Sequence, residues 1–562
     1  MKKLLTSILP LVFVLSLFST VHAGEIHFQD SNGVEQARAV SPQHPLPVQI
    51  DIPTTIFEEV LTAEKTPQVQ IKFPYGVNSR EVHTLLNNTS GGSAVTAANS
   101  VVSITAAGTY PSFAQIRTLD TIRYGPGQGS EAKWTAAFPT DGVALSSQSI
   151  GAGDDDEGLF VGYKNTAFGF MHVSHGELEN RSLTITAVAT GTGNITITLD
   201  GTAVTVAVAA SDTIAEVTAK IVAQAAAFGN AGRGWEVHTD DNVSVEFISM
   251  IAEPAAGTFS FVDTDTTGVT AGTFAQGTVS ILGVVPGASF IAQTDWNVDN
   301  MDGTGSPSNP SGVELARGIT PGDNALAIEN LNVYGAAWQY LGAGVVEFRV
   351  ERPNGDWVIV HRIHRAGSST ATILKNPTLH MTAVVKTESS YSGGNLTVQT
   401  ASMAGFIQGK ESDIGIRFSA HGQKSIATTT QNNVLTVHSD LEYNGTRNKI
   451  NSYPDFLTIT NEVTKGITVW LTVNPTEVSG TVALTAVDAG NTPMEYDTAG
   501  TLVVGGDVLF PIDIAGDGVV IYDMKNLGLF LRPGDRWVFS AAKTTAGTTG
   551  VVGIGLTWKD RL

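Results

Sequence analysis

The feature that most constrains this chain is its punctuation. From about residue 68 onward, short runs of alternating apolar and polar residues, among them VQIKF, SVVSITAAG, EAKWTAAF, GLFVGY and AFGFMHV, are broken repeatedly by Gly or Asn. A two-residue period places successive side chains on opposite faces of a strand, and short runs bounded by turn formers read as a sandwich or jelly roll. Composition supports strands and turns over helices: there are 59 glycines, abundant Thr, Val and Ala, and only 15% charged residues. At 562 residues and 42% hydrophobic content, the chain has material for several domains, each with its own core.

Two compositional facts exclude whole classes of function. The chain has no cysteine, which removes thiol catalysis, Cys-ligated zinc and iron–sulfur clusters. Without disulfides, stability has to come from sheet packing, oligomerisation or bound ions. The net charge of -21, from 53 acidic and 32 basic residues, opposes binding of nucleic acid through its phosphates and favours solubility.

The order of segments predicts a mainly all-β, multidomain β-sandwich or jelly-roll architecture with one small α+β module inserted. Residues 1–23 read as a signal peptide or apolar leader: Lys2 and Lys3 precede an apolar run from Leu4 to Phe18, and Val21-His22-Ala23 offers a cleavage site after Ala23. Pro10 interrupts that run, which is shorter than the roughly 20 residues a membrane span needs. Residues 24–67 form an extended N-terminal arm, with a strand at IHFQ, a turn at DSNG and Pro42, Pro45 and Pro47 keeping the backbone extended. Such an arm is expected to pair with a neighbouring subunit.

Residues 68–177 and 284–411 read as the first and second parts of one β-sandwich, since neither looks complete alone. Between them, residues 178–283 read as the inserted module, its ends close together. Asp200-Gly201 marks a hairpin there. SDTIAEVTAKIVAQAAAF is the clearest helix, with Ser211 or Asp212 as its cap and Ile214, Val217, Ile221 and Ala225 on one face. Residues 412–562 supply at least eight candidate strands for a C-terminal β-sandwich, with Trp558 as a core plug.

Candidate chemistry is sparse. There is no G-x-S-x-G elbow, no P-loop and no GxGxxG opening a helix after a strand, so no catalytic residue is assigned and the chain is read as non-enzymatic. Paired carboxylates for glycoside hydrolysis leave no trace in sequence, and Glu347 and Asp356 are read as solvent-facing strand positions. The only cofactor admitted is a structural calcium at Asp299 and Asp302 in WNVDNMDGTGS, whose oxygen ligands suit a hard cation although their interval differs from D-x-D-x-D-G. Asp154, Asp155, Asp156 and Glu157 in GAGDDDEG offer clustered carboxylates to calcium, but adjacent residues point different ways and the run reads as a solvated turn. His361 and His364, three apart on a strand, face opposite sides unless a bulge intervenes. Trp338, Tyr340 and Trp357, with Trp470, are the candidate glycan platform, because aromatic faces stack on pyranose rings; packing in a sandwich core is the competing reading of the same alternation.

Several stretches carry a family resemblance: DSNGVEQARAVSPQHPLPV, DTIRYGPGQGSEAKWTAAF, GLFVGYKNTAFGF, TITLDGTAVTVAVAASDTIAEVTAKI, DGTGSPSNPSG, WQYLGAGVVEFRVE, VHRIHRAG and TASMAGF. In text and layout this resembles uncharacterised structural proteins of tailed phages and other large DNA viruses, over most of residues 24–562, with no catalytic motif to transfer. The resemblance implies a virion surface component of the head-fibre, decoration or tail-associated adhesin type. Its implied partners are further copies of itself, other virion or surface proteins and host surface glycans, with no nucleic acid. The leader departs from that pattern, since virion proteins assemble in the cytoplasm. It leaves open a secreted bacterial adhesin or extracellular filament subunit, or a leader embedded in a lipid-containing particle.

Overall fold

The structure is a computed structural model. It describes the backbone of Glu25–Gln29 and Glu35–Ala39, and residues 65–561 apart from 90, 155–156, 175–177, 240–242, 252–254, 278–288, 340, 410–414, 444–445, 463, 476, 479–483 and 548. The leader, its cleavage site and the proline-rich part of the arm lie outside the described residues. Glu25–Gln29 pairs antiparallel with Glu35–Ala39, Glu25 opposite Ala39, within a unit of its own that ends at Leu61.

The rest of the chain is one unit built around three hydrophobic cores. The first core lies between two antiparallel sheets. One has seven strands in the order Ser289–Ala292, Ala167–Val173, Gly158–Lys164, Ser146–Gly153, Leu379–Thr387, Phe113–Ile122 and Val82–Asn87. The other has six, in the order Trp357–Ile363, Val346–Glu351, Asn332–Trp338, Ser130–Ala136, Ser402–Gln408 and Lys65–Lys72. Both sheets therefore mix strands from before and after residues 180–276. Across the six-stranded sheet Val358, Val350, Tyr334, Trp134, Met403 and Ile71 stand in one register row, all buried. This is the inward half of the alternation. Phe170 reaches from the other sheet to stack on Phe348 at 4.2 Å and on Trp296 at 4.6 Å. At Gly162 a Cβ would lie 1.9 Å from the Gln148 carbonyl oxygen, so GLFVGY requires glycine there for its strand to approach Ser146–Gly153.

The second core belongs to residues 180–276. Thr202–Val208, Gly193–Leu199 and Ser260–Asp263 form one sheet, and Trp235–His238, Ser244–Ser249, Asn180–Ala187 and Thr270–Ala271 form another, with Ala275–Gln276 also paired to Asn180–Ala187. Asp200 and Gly201 take φ of 49° and 82°, the positive values a two-residue hairpin turn requires between the paired Leu199 and Thr202. The helix is shorter than its pattern suggests, Ile214–Val222, with a second turn of helix at Ala225–Gly229. Its cap is Thr213, which shares a reciprocal capping box with Glu216. Ser211 and Asp212 are not the cap: Ser211 has φ of 77°, and the Asp212 carboxylate accepts from the Ala209 N–H and from Lys220. Val217 and Ile221 are the helix residues that enter the core, beside Phe228, Trp235 and Phe247.

The third core lies between a four-stranded sheet, Ile416–Ile426, Gly550–Arg561, Asn451–Asn461 and Val519–Asp523, and a six-stranded one. The latter runs Thr485–Ala486, Met494–Asp497, Asn432–Ser439, Arg536–Lys543, Ile467–Val473 and Asp507–Ile514. Trp558 is wholly buried there among Leu457, Ile459, Phe539 and Leu556.

The two sandwiches are tied by ion pairs. Lys449 of the second meets Asp154 of the first at 2.9 Å, both side chains buried, and Arg532 makes two hydrogen bonds to Asp120. This corrects the solvated-turn reading for Asp154 and Glu157, while Asp155 and Asp156 lie outside the described residues. Asp154 and Glu157 are buried because the second sandwich covers their loop, and Glu157 accepts the Lys375 N–H. Removing one member of a buried pair leaves the other charge uncompensated. Asp154→Ala is therefore expected to lower stability in equilibrium urea unfolding by ~3 kcal/mol, and adding Lys449→Met to recover most of that loss.

Candidate ligand-binding faces

The outer half of the same alternation builds a polar face on the six-stranded sheet of the first sandwich. Ala337 is flanked in register by Glu131 on one neighbouring strand and Glu347 on the other. The two carboxylates thus share a row, their Cα atoms two strand spacings or about 10 Å apart. Each is clamped by cations. Lys65 and Lys133 both reach Glu131, while Arg349 and Arg362 meet Glu347 at 2.6 and 2.9 Å. Burial alone raises the Glu131 carboxyl, but the two lysines together outweigh it and hold the group below its ordinary 4.5. Glu347 is buried beneath its two arginines, which corrects its reading as a solvent-facing position.

Trp357 lies on this face. It pairs with Glu351 near the start of an edge strand; a Cβ on Gly335 would meet its ring at 3.2 Å, and the Lys133 ammonium sits 4.6 Å from the ring centroid. Lys133 therefore links Glu131 to the indole. Trp338 is on the inner side and fully buried, so its expectation as a sugar platform is corrected. The alternation that makes it available to a ligand on one face makes it core on the other, and the sheet turns it inward. Tyr340 lies outside the described residues. Trp470 is half-buried on a strand of the second sandwich and joins no site with Trp357.

The edge strand carrying Trp357 is covered by the loop that holds the calcium candidates. Asn297 bonds His361 Nδ1 through its N–H at 3.2 Å and exchanges hydrogen bonds with the Arg362 backbone. Asp299 is buried, its oxygens accepting the N–H groups of Met301 and Ser311. The Asp302 carboxyl is drawn down to about 2 by the Thr304 hydroxyl and N–H, with Asn300 and Asn309 adding donors. The two aspartates thus close the loop with protein donors. No group of three His, Cys, Asp or Glu placed to hold a metal occurs among the described residues. A bulge does occur opposite Phe348–Arg349, and it turns His361 inward while His364 stays exposed.

The Glu131–Glu347 pairing was invisible in the sequence, because it depends on which strands become neighbours. Two expected outcomes follow from this geometry. Trp338→Ala removes a core side chain and costs about 3–5 kcal/mol in urea unfolding, whereas Trp357→Ala costs about 1 kcal/mol or less. Burial lowers the His361 imidazole from 6.5 to about 4. The unfolded chain then binds a proton that the folded chain refuses, so stability present above pH 6.5 is lost as pH falls from 6.5 towards 4. His361→Gln is expected to flatten that part of the urea-midpoint profile.

No family model matches the chain, and no curated protein matches it. Among solved structures, lectin II from Ulex europaeus and a Ulex lectin complexed with galactose each align with 61% of this chain and 100% of their own, at 8% identity and TM-score 0.20. A lectin from Bauhinia forficata in complex with GalNAc covers the same shares at 7% identity and TM-score 0.19. Likeness at that level is open to any stack of antiparallel sheets, and no property is carried over from it.

Proposed function

We propose that this chain is a non-enzymatic structural and surface protein, decoration- or fibre-like, that assembles with copies of itself on a virion surface and meets host glycans through its outer sheet faces. The observation that carries the assembly is a flank of the second sandwich. Val519–Asp523 is the last strand of its four-stranded sheet, and Asp507–Ile514, joined to it by a short turn, is the last strand of the six-stranded one. Val519 and Ile521 are each 66% exposed, and Val508 and Leu509 are exposed beside them. An apolar strand at a sheet edge among the described residues, with no lysine or proline within Val519–Asp523, is a template for pairing unless it is covered.

Two further features support the reading. The Glu131 carboxyl is held below its ordinary range by Lys65 and Lys133, whereas a general acid needs its proton held at neutral pH. The Trp357 face offers a half-buried indole beside the Lys133 ammonium, which in turn pairs with Glu131, and aromatic faces with polar neighbours suit sugar rings. The leader favours a second reading, a secreted adhesin or filament subunit, which would use the same faces.

Light scattering after size exclusion tests the assembly. The native chain is expected to run as an oligomer, and Val519→Lys/Ile521→Lys to run as a monomer with unchanged circular dichroism. A native chain that stays monomeric at tens of micromolar contradicts the proposal.

A further inference from the structure

The outer face of the four-stranded sheet in the second sandwich carries an unusual concentration of positive charge for so acidic a chain. Arg417, Lys559 and Tyr453 stand in one register row. The bulge between Pro454 and Phe456 inserts Asp455 into their midst. Arg417 Nε donates to the Asp455 carboxylate at 2.8 Å, while the ammonium groups of Lys559 and Lys525 stand 3.7 and 4.0 Å from it. One buried carboxylate thus faces three cations, of which Arg417 and Lys525 keep side-chain exposures of 60% and 37%.

Aromatic rings hold the surrounding cations. The Arg561 guanidinium lies 4.0 Å from the Tyr453 centroid, Tyr453 stacks on Phe530 at 5.4 Å, and Arg532 lies 5.0 Å from Phe530. Lys525 lies 4.6 Å from the Phe456 ring. Among the described residues the acids nearby are Asp120, taken up by Arg532, Asp535, which accepts the Arg532 N–H, and Asp523, which accepts the Lys525 N–H. Asp560 is turned inward, where burial raises its carboxyl and Ser452 and Thr492 donate to it. Arg417 and Lys525 are the cations of this cluster that keep the most exposure beside Asp455. Stacking restricts the cations before any ligand arrives, which lowers the ordering cost of binding. Arg417 donates to Asp455 through Nε, and its planar guanidinium suits a carboxylate.

A flat strip leads away from this cluster. Gly555 lies between His421 and Thr458, and Gly553 between Gln423 and Thr460, with Ser419 and Thr557 completing the face. At Gly553 a Cβ would come within 2.5 Å of the Thr460 hydroxyl, so the strip is level because glycine occupies it. The three long strands run about 35 Å, room for several pyranose rings beside hydroxyl, amide and imidazole groups.

We infer that this face binds carboxylated polysaccharide, with sugar carboxylates at Arg417 and Lys525 and the neutral hydroxyls along the glycine–threonine strip. A polyphosphate fits less well, because its dense charge meets only this one cluster on a chain of net charge -21. The site is separate from the Trp357 face, and its strip runs in register onto the edge strand, where exposed Ile521 stands beside Thr458 and exposed Val519 beside Thr460.

The test is calorimetric titration of the full chain with oligogalacturonate, with a neutral cello-oligosaccharide and single-stranded DNA as comparison ligands. Oligogalacturonate is expected to bind, the affinity falling with added salt. Arg417→Ala/Lys525→Ala is expected to weaken it at least tenfold. Gln423→Trp, which obstructs the strip three rows beyond Arg417, is expected to do the same with an unchanged melting curve. Trp357→Ala is expected to leave it intact. Absence of oligogalacturonate binding, equal binding of the neutral oligosaccharide or of DNA, or binding that both Arg417→Ala/Lys525→Ala and Gln423→Trp leave unaltered overturns the assignment.

Discussion

Phe170, stacked between Phe348 and Trp296, is the contact on which the first sandwich depends. It joins a strand that precedes residues 180–276 to a strand and a loop that follow them. In a chain with no cysteine, no disulfide cross-links those halves. Burial of this aromatic cluster, with the row from Val358 to Ile71, closes the two sheets on each other. Every outward position on the six-stranded sheet, Glu131, Glu347 and Trp357 included, takes its place from that closure.

Period-two alternation showed that strands would form, and the Asp200-Gly201 pair showed where one hairpin turns. Alternation does not say which face is inside, so Trp338 and Trp357 were equivalent in the sequence until the sheets closed over one and left the other at the surface. Capping was misread for a local reason: Ser211, Asp212 and Thr213 are all good caps, and the positive φ of Ser211 together with Glu216 three residues after Thr213 selects the last. The acidic run at Asp154 looked solvated because its partner, Lys449, lies in another sandwich.

The functional surfaces were the least legible part for the same reason. Glu131 and Glu347 come together only because Asn332–Trp338 sits between their strands. The ladder from Arg561 through Tyr453 and Phe530 to Arg532 draws on three separate segments, and the bulge at Asp455 has no marker in the text. What unites these surfaces is charge compensation on sheet faces: carboxylates are clamped by cations, and cations are stacked on rings.

The reading of the chain as a virion surface component is tested most directly by quantitative mass spectrometry of purified virions from a producing culture. The account predicts the chain in the particles at a copy number comparable with a structural subunit. Its absence from particles, with the protein recovered instead from the medium or the cell surface and beginning at Gly24, would contradict it.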